Sequence, residues 1–120
     1  MCGDFDDNQI DDELYERFLS TALGYGVKPG AGADAGPRRL ADEETRSNYM
    51  GSLFHAGLAR SLNDIAGLPS GERMDAVAGQ AIVFARLAGL LAGQFPPEAD
   101  LFRTVTSALL DGHAEADSRG

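Results

Sequence analysis

The sequence predicts an all-α protein, a small four-helix bundle-like domain with a central apolar third helix and disordered or flexible acidic ends. Apolar residues recur at helical spacing in four segments, glycine and proline cluster between them, and no segment is typical of a strand. At 120 residues, 43% of them apolar, the chain is long enough to bury a core without metals or disulfides. We expect one helical domain over 9–113, with an acidic tail at 1–8 and a second tail at 114–120.

The first predicted helix runs from about Gln9 to Gly24, with Asn8 or Asp7 as its N-cap. Its apolar positions recur every four residues, at Ile10, Leu14, Phe18 and Ala22. The next segment, 25–40, is rich in glycine and proline and is predicted to be a flexible loop. The glycines of 30–36 invite comparison with a phosphate loop, but no strand precedes them and no Lys-Ser or Lys-Thr pair follows, so a plain linker is predicted.

The second predicted helix runs from Ala41 or Asp42 to Ala66. Its broad apolar face comprises Met50, Leu53, Phe54, Leu58, Leu62 and Ile65. Gly67 and Pro69 then form a stop signal, because glycine favours the residue after a last helical turn and proline cannot continue the helix.

The third predicted helix begins after the capping residue Ser70 and ends near Gln94. Large apolar residues crowd one half of it, and alanine and glycine occupy most of the other half. A helix that is apolar on nearly all sides must be covered by its own domain or by a second chain. The small residues, which let another helix approach closely, are the candidate interface: Ala81, Ala85, Ala88, Gly89, Ala92 and Gly93.

The fourth predicted helix starts near Pro97, with acidic residues in its first turn. Its inner face is expected to comprise Leu101, Phe102, Val105, Ala108, Leu109 and Gly112.

Residues 76–95 are long enough to span a bilayer. Gln80, Arg86 and Gln94 interrupt this segment, however, and a central arginine is costly in lipid, so no membrane span is predicted. The N-terminus also lacks the apolar segment of a signal peptide, and we expect a cytoplasmic protein. One lysine against nine arginines is typical of a GC-rich bacterial genome.

The net charge of −9 at pH 7 lies at the ends of the chain. Residues 1–16 hold seven acids and no base, whereas 17–110 hold nine of each. A nucleic-acid-binding protein needs a basic face, so this class is not expected. Cys2 is the single cysteine, which excludes an intramolecular disulfide and a cysteine-based metal cage.

The sequence carries no motif for a catalytic site or a metal site, so we predict no catalytic residue, no metal and no cofactor. An enzyme is not favoured, although folding can bring catalytic groups together without a motif. The candidates for contact with a ligand or an anion are Arg86, His55 and Tyr49, which are polar residues on or beside the apolar faces of two helices.

The leading hypothesis is a protein-interaction module with a regulatory or accessory role that self-associates as a homodimer, or else binds another protein. The alternative is a small-molecule-binding helical domain that holds a ligand between its helices.

Overall fold

A computed structural model of the chain describes residues 2–30 and 36–119, with side chains described for 9, 11–30 and 36–117. The fold is all-α. Four helices account for most of the described residues, which contain no strand: α1 (Cys2–Gly24), α2 (Glu43–Ala66), α3 (Ser70–Ala92) and α4 (Leu101–Arg119). The predicted fold class is therefore confirmed. A plain linker was predicted for 30–36, and residues 31–35 of it lie outside the described residues.

The helices divide between two compact units. The first comprises Met1–Lys28 and Phe84–Gly120, and so contains α1, the last part of α3 and α4. The second comprises Pro29–Val83 and contains α2 with the first part of α3. Each unit is described below by itself.

Both terminal helices are longer than the sequence predicts. α1 begins at Cys2 rather than near Gln9, so Asp7 and Asn8 lie inside the helix and do not cap it. Acidic residues near a helix N-terminus are stabilised by the positive end of the helix dipole, which favours this extension. α4 likewise continues to Arg119, beyond the expected end near 113.

α4 also begins later than predicted. Pro97–Ala99 form a single 3₁₀ turn, and Asp100 follows it in the left-handed conformation, with φ at 53°. Aspartate is one of the few residues that adopt this conformation at modest cost. The left-handed residue breaks the helical path, so α4 starts at Leu101.

In the first unit, the face predicted for α1 is half-buried at Leu14, Phe18 and Ala22, and the side chain of Ile10 is outside those described. The predicted inner face of α4 is covered less completely. Its half-buried members are Leu101 and Val105, while the other predicted positions on this face remain exposed.

In the second unit, α2 and the start of α3 form a helical hairpin. α2 is capped at its start by Asp42 and at its end by Gly67, whose N–H donates to the carbonyl of Ile65. The half-buried positions on α2 near this connection are Gly57, Ser61 and Ile65, which lie one turn apart on one side of the helix. Most of the large apolar side chains of α2 are exposed.

No apolar side chain among those described is buried in either unit. Apolar residues do line one side of these helices, but the described chain buries them only in part. Gln94 is the buried polar residue, with 7% of its surface exposed.

Candidate interaction surfaces

The small-residue face of α3 is the first candidate surface, defined as the six residues predicted above. Four of them are exposed, and Ala88 and Ala92 are half-buried. A Cβ atom added at Gly89 would meet no atom within 4 Å, so nothing in the described chain packs against that glycine. At Gly93 an added Cβ would meet the carbonyl oxygens of Gly89 and Leu90 at 3.3 and 3.5 Å, because this glycine closes the helix.

The opposite half of α3 is half-buried at Leu90 and exposed at its other large side chains. Between 41% and 58% of the surface remains exposed at Val77, Val83, Phe84, Leu87 and Leu91. Burial of such side chains is the main source of stability for a packed helix, at about 25 cal/mol per Å² of apolar area. α3 therefore has unused apolar surface on both halves.

The α2 apolar face is the second candidate surface. Its five exposed members keep 54–68% of their surface: Met50, Leu53, Phe54, Leu58 and Leu62. Ile65, the sixth predicted position, is half-buried. Five of the six residues predicted for the apolar face of α2 are therefore exposed to solvent.

One hydrogen-bonded pair links α2 to α3 in the second unit. Gln80 Nε2 donates to the backbone carbonyl of Ser61 at 3.2 Å, and the hydroxyl of Ser61 donates to Gln80 Oε1. Both residues are half-buried. This pair, which sequence reasoning missed, fixes the position of α3 along α2.

A second polar contact joins α1 to the end of α3 in the first unit. Arg17 Nη2 donates to the backbone carbonyl of Gln94, and Gln94 Nε2 donates to the carbonyl of Leu90 at 2.9 Å. The oxygen Oε1 of Gln94 is buried and has no hydrogen-bond partner among the described residues. Carbonyls at a helix C-terminus lack intrahelical partners, and Arg17 satisfies one just beyond α3.

The three residues predicted to contact a ligand do not share a unit. Arg86 lies in the first unit, where its Nη2 donates to Tyr25 Oη at 3.4 Å, a long hydrogen bond between exposed side chains. Tyr49 and His55 lie on α2 in the second unit, and both are exposed. Neither unit brings all three candidates together.

The α2 N-cap and the two ion pairs described here involve side chains that are exposed to solvent. The carboxyl of Asp42 has its pKa lowered from the ordinary value of 3.8, because it accepts the backbone N–H of Thr45 and, secondarily, the Thr45 hydroxyl. The ion pairs Arg60–Asp64 and Arg103–Asp100, at 3.1 and 3.2 Å, join exposed neighbours within or beside one helix. Such pairs contribute little to stability.

Within the part of the chain that the structure describes, no three histidine, cysteine, aspartate or glutamate side chains converge as metal ligands. α3 has the length and composition of a membrane span, with a mean hydropathy of 1.4 over an 18-residue window of which none is buried. One such helix is weak evidence for a span. Comparison with protein-family models, curated proteins and solved structures finds no match to this chain.

Proposed function

We propose that this protein is a helical interaction module that associates with a second copy of itself through the small-residue face of α3, and that it has a regulatory or accessory role. One observation carries the proposal: no described apolar side chain is buried, although α3 is apolar on nearly all sides. Apolar helix faces of this extent are stabilised when a partner covers them.

The small-residue face suits a partner helix because it offers little side-chain bulk. Ala81, Ala85, Gly89 and Gly93 recur every four residues, so they follow one side of the helix. Small residues at this spacing allow two helix backbones to approach and gain van der Waals contact. All four are exposed.

The charge distribution favours the same use of α3. The seven acids of 1–16 supply most of the net charge, whereas 76–95 contains a single charged residue, Arg86. Pairing through this part of α3 therefore brings few like charges together. An exposed apolar surface supports an interaction site, and the absence of acids from this one lowers the repulsion between two acidic copies.

The test replaces Gly89 with leucine and measures the mass in solution by light scattering. In the isolated chain the new Cβ enters open space. Leucine is also the better helix former by a little under about 1 kcal/mol, so the single chain loses no stability. Across a close interface the same side chain clashes, and we expect the dimer to dissociate at least tenfold more readily.

Ala85→Leu is the second variant, and Gly112→Leu in α4 is the matched control. An added Cβ at Gly112 likewise meets nothing within 4 Å. We expect Ala85→Leu to weaken the dimer and Gly112→Leu to leave its mass unchanged. If Gly89→Leu and Ala85→Leu both keep the wild-type mass across all concentrations, the small-residue face is not the interface.

A further inference from the structure

Two opposite charges stand on one side of α3. Asp75 and Arg86 are the charged residues of the segment 74–95. Their spacing in the sequence places them within about 20° of each other around the helix and about 16 Å apart along its axis. An ion pair needs a nitrogen and an oxygen within about 4 Å, so these two side chains cannot pair with each other inside one chain.

The side of α3 that bears these charges is exposed. Seven residues, which we call the Asp75–Arg86 strip, fall within roughly 120° around the helix: Asp75, Ala78, Gly79, Ile82, Ala85, Arg86 and Gly89. All seven are exposed, and Ile82 keeps 69% of its surface. A Cβ atom added at Gly79 would meet nothing within 4 Å. The strip shares Ala85 and Gly89 with the small-residue face.

Both charges are available to a second molecule. Among the described residues, Asp75 has no hydrogen-bond or ion-pair partner. Arg86 contacts Tyr25 Oη through one nitrogen, at the long distance of 3.4 Å. A guanidinium group carries five N–H donors, so Arg86 can hold this contact and bind a carboxylate as well.

An antiparallel pair of α3 helices brings these charges together. In a two-fold symmetric interface, residue i contacts residue j and j contacts i. When Asp75 of one copy lies level with Arg86 of the other, the same ion pair therefore forms again at the opposite end. The two-fold axis then passes at the level midway between Gln80 and Ala81.

The register that pairs the charges also aligns the two helices end to end. α3 runs from Ser70 to Ala92, so its middle residue is Ala81. An axis at this level makes the two copies of α3 overlap along nearly their whole length. Ile82 of each copy then lies level with Gly79 of the other, where the missing side chain leaves room for it.

A parallel pair does not use the charges in this way. Its two-fold axis runs along the helices, so Asp75 lies level with Asp75 of the second copy and Arg86 with Arg86. Charges that flank an apolar helix seam set the orientation of the two helices more than they set the strength of binding. The charge pattern of α3 therefore favours the antiparallel arrangement.

We propose that two copies of the chain associate through antiparallel α3 helices, held in register by two ion pairs between Asp75 of each copy and Arg86 of the other. This inference rests on the proposed self-association through α3. It adds the orientation of the two helices, their register and the residues that select it.

Charge reversal tests the register in the full-length chain. Asp75→Arg places an arginine opposite Arg86 at both ends of the interface, and Arg86→Asp places two aspartates there. We expect each single variant to raise the dimer dissociation constant at least fivefold in low salt, measured by light scattering over a dilution series. The double variant Asp75→Arg/Arg86→Asp restores both ion pairs with the charges exchanged, so it should return to within twofold of wild type.

Net charge alone predicts a different result. Asp75→Arg makes the acidic chain less negative and would by itself reduce the repulsion between copies. The matched control is Asp111→Arg, which makes the same change at an exposed position of α4 and should not raise the dissociation constant. At about 1 M salt the screening length is about 3 Å, and the effect of Asp75→Arg should fall below twofold.

The outcomes separate this inference from the proposed function. If the wild-type chain dimerises and either single reversal leaves the dissociation constant unchanged, the antiparallel register is wrong and self-association stands. The same holds if the double variant dimerises as weakly as the single variants. A wild-type chain that stays monomeric would overturn self-association and the register together.

Discussion

Ser61 and Gln80 form a reciprocal hydrogen-bonded pair between α2 and α3: the amide of Gln80 donates to the Ser61 carbonyl at 3.2 Å, and the Ser61 hydroxyl donates back to Gln80 Oε1. The two residues stand on otherwise apolar helix faces. A polar pair there gives the two helices one favoured alignment, because sliding either helix leaves half-buried polar groups unpaired.

Replacement of Gln80 by alanine should therefore destabilise the second unit. It removes both hydrogen bonds and leaves the Ser61 hydroxyl without this partner, at a cost of about 1–2 kcal/mol. Urea unfolding followed by circular dichroism measures the change. Ser52→Ala, on the opposite side of α2, should change stability by less than about 0.5 kcal/mol. Equal stabilities for the two variants would show that the pair does not hold the hairpin.

Arg17 should stabilise the first unit through its hydrogen bond to the Gln94 carbonyl. Arg17→Ala removes a charge-assisted bond at a partly exposed site, and we expect a loss of about 1 kcal/mol. The matched variant is Arg103→Ala, whose side chain is 84% exposed and paired with Asp100. It should change stability by less than about 0.5 kcal/mol. A loss for Arg103→Ala that equals the loss for Arg17→Ala would contradict this account.

The N-cap of α2 should give a pH-dependent contribution to stability. The folded state lowers the pKa of Asp42 below 3.8, so its ionised form stabilises the fold above that pH. As the pH falls through 3.8 and then through the lower folded pKa, this contribution disappears. Asp42→Ala should be less stable than wild type at pH 7, and thermal melts should show the difference narrowing below pH 3.8.

Asp42→Asn is the control for this experiment, because asparagine caps a helix about as well as aspartate and does not titrate. It should retain most of the stability at pH 7. A difference between wild type and Asp42→Ala that is constant from pH 7 to pH 3 would exclude the ionised carboxyl as its source.

Vesicle flotation tests whether the exposed apolar surface of α3 binds to a lipid bilayer. We expect the protein to remain in the aqueous fraction with vesicles of zwitterionic lipid, because Gln80, Arg86 and Gln94 make insertion of α3 costly. The matched variant is Arg86→Leu, which removes the charge near the middle of 76–95 and should increase any binding. Flotation of the wild-type protein would contradict the choice of a protein partner for α3.

The helices could be predicted from the sequence because glycine and proline mark the three connections between them. The connection at Gly67 and Pro69 lies where these residues indicate, and the side of α1 that bears Leu14 and Phe18 is half-buried as expected. The outer ends were not predictable by the same means. α1 begins within an acidic segment that carries no stop signal, and the start of α4 depends on the left-handed backbone of Asp100.

The candidate surfaces were only partly predictable. Periodicity assigns Phe54 and Gly89 to apolar or small faces, but it does not tell whether the chain covers those faces itself. The Ser61–Gln80 pair depends on how α2 aligns with α3, which a single helix pattern does not contain. A signal was present, since Gln80 is a polar residue within the apolar segment 76–95 and needs a partner there.

The mass of the wild-type protein in solution tests self-association most directly. Light scattering on a sizing column at two protein concentrations, well separated from each other, gives this mass without a label or a variant. We predict a mass near twice the 12.7 kDa of the chain at the higher concentration. A mass of 12.7 kDa at both concentrations would contradict it.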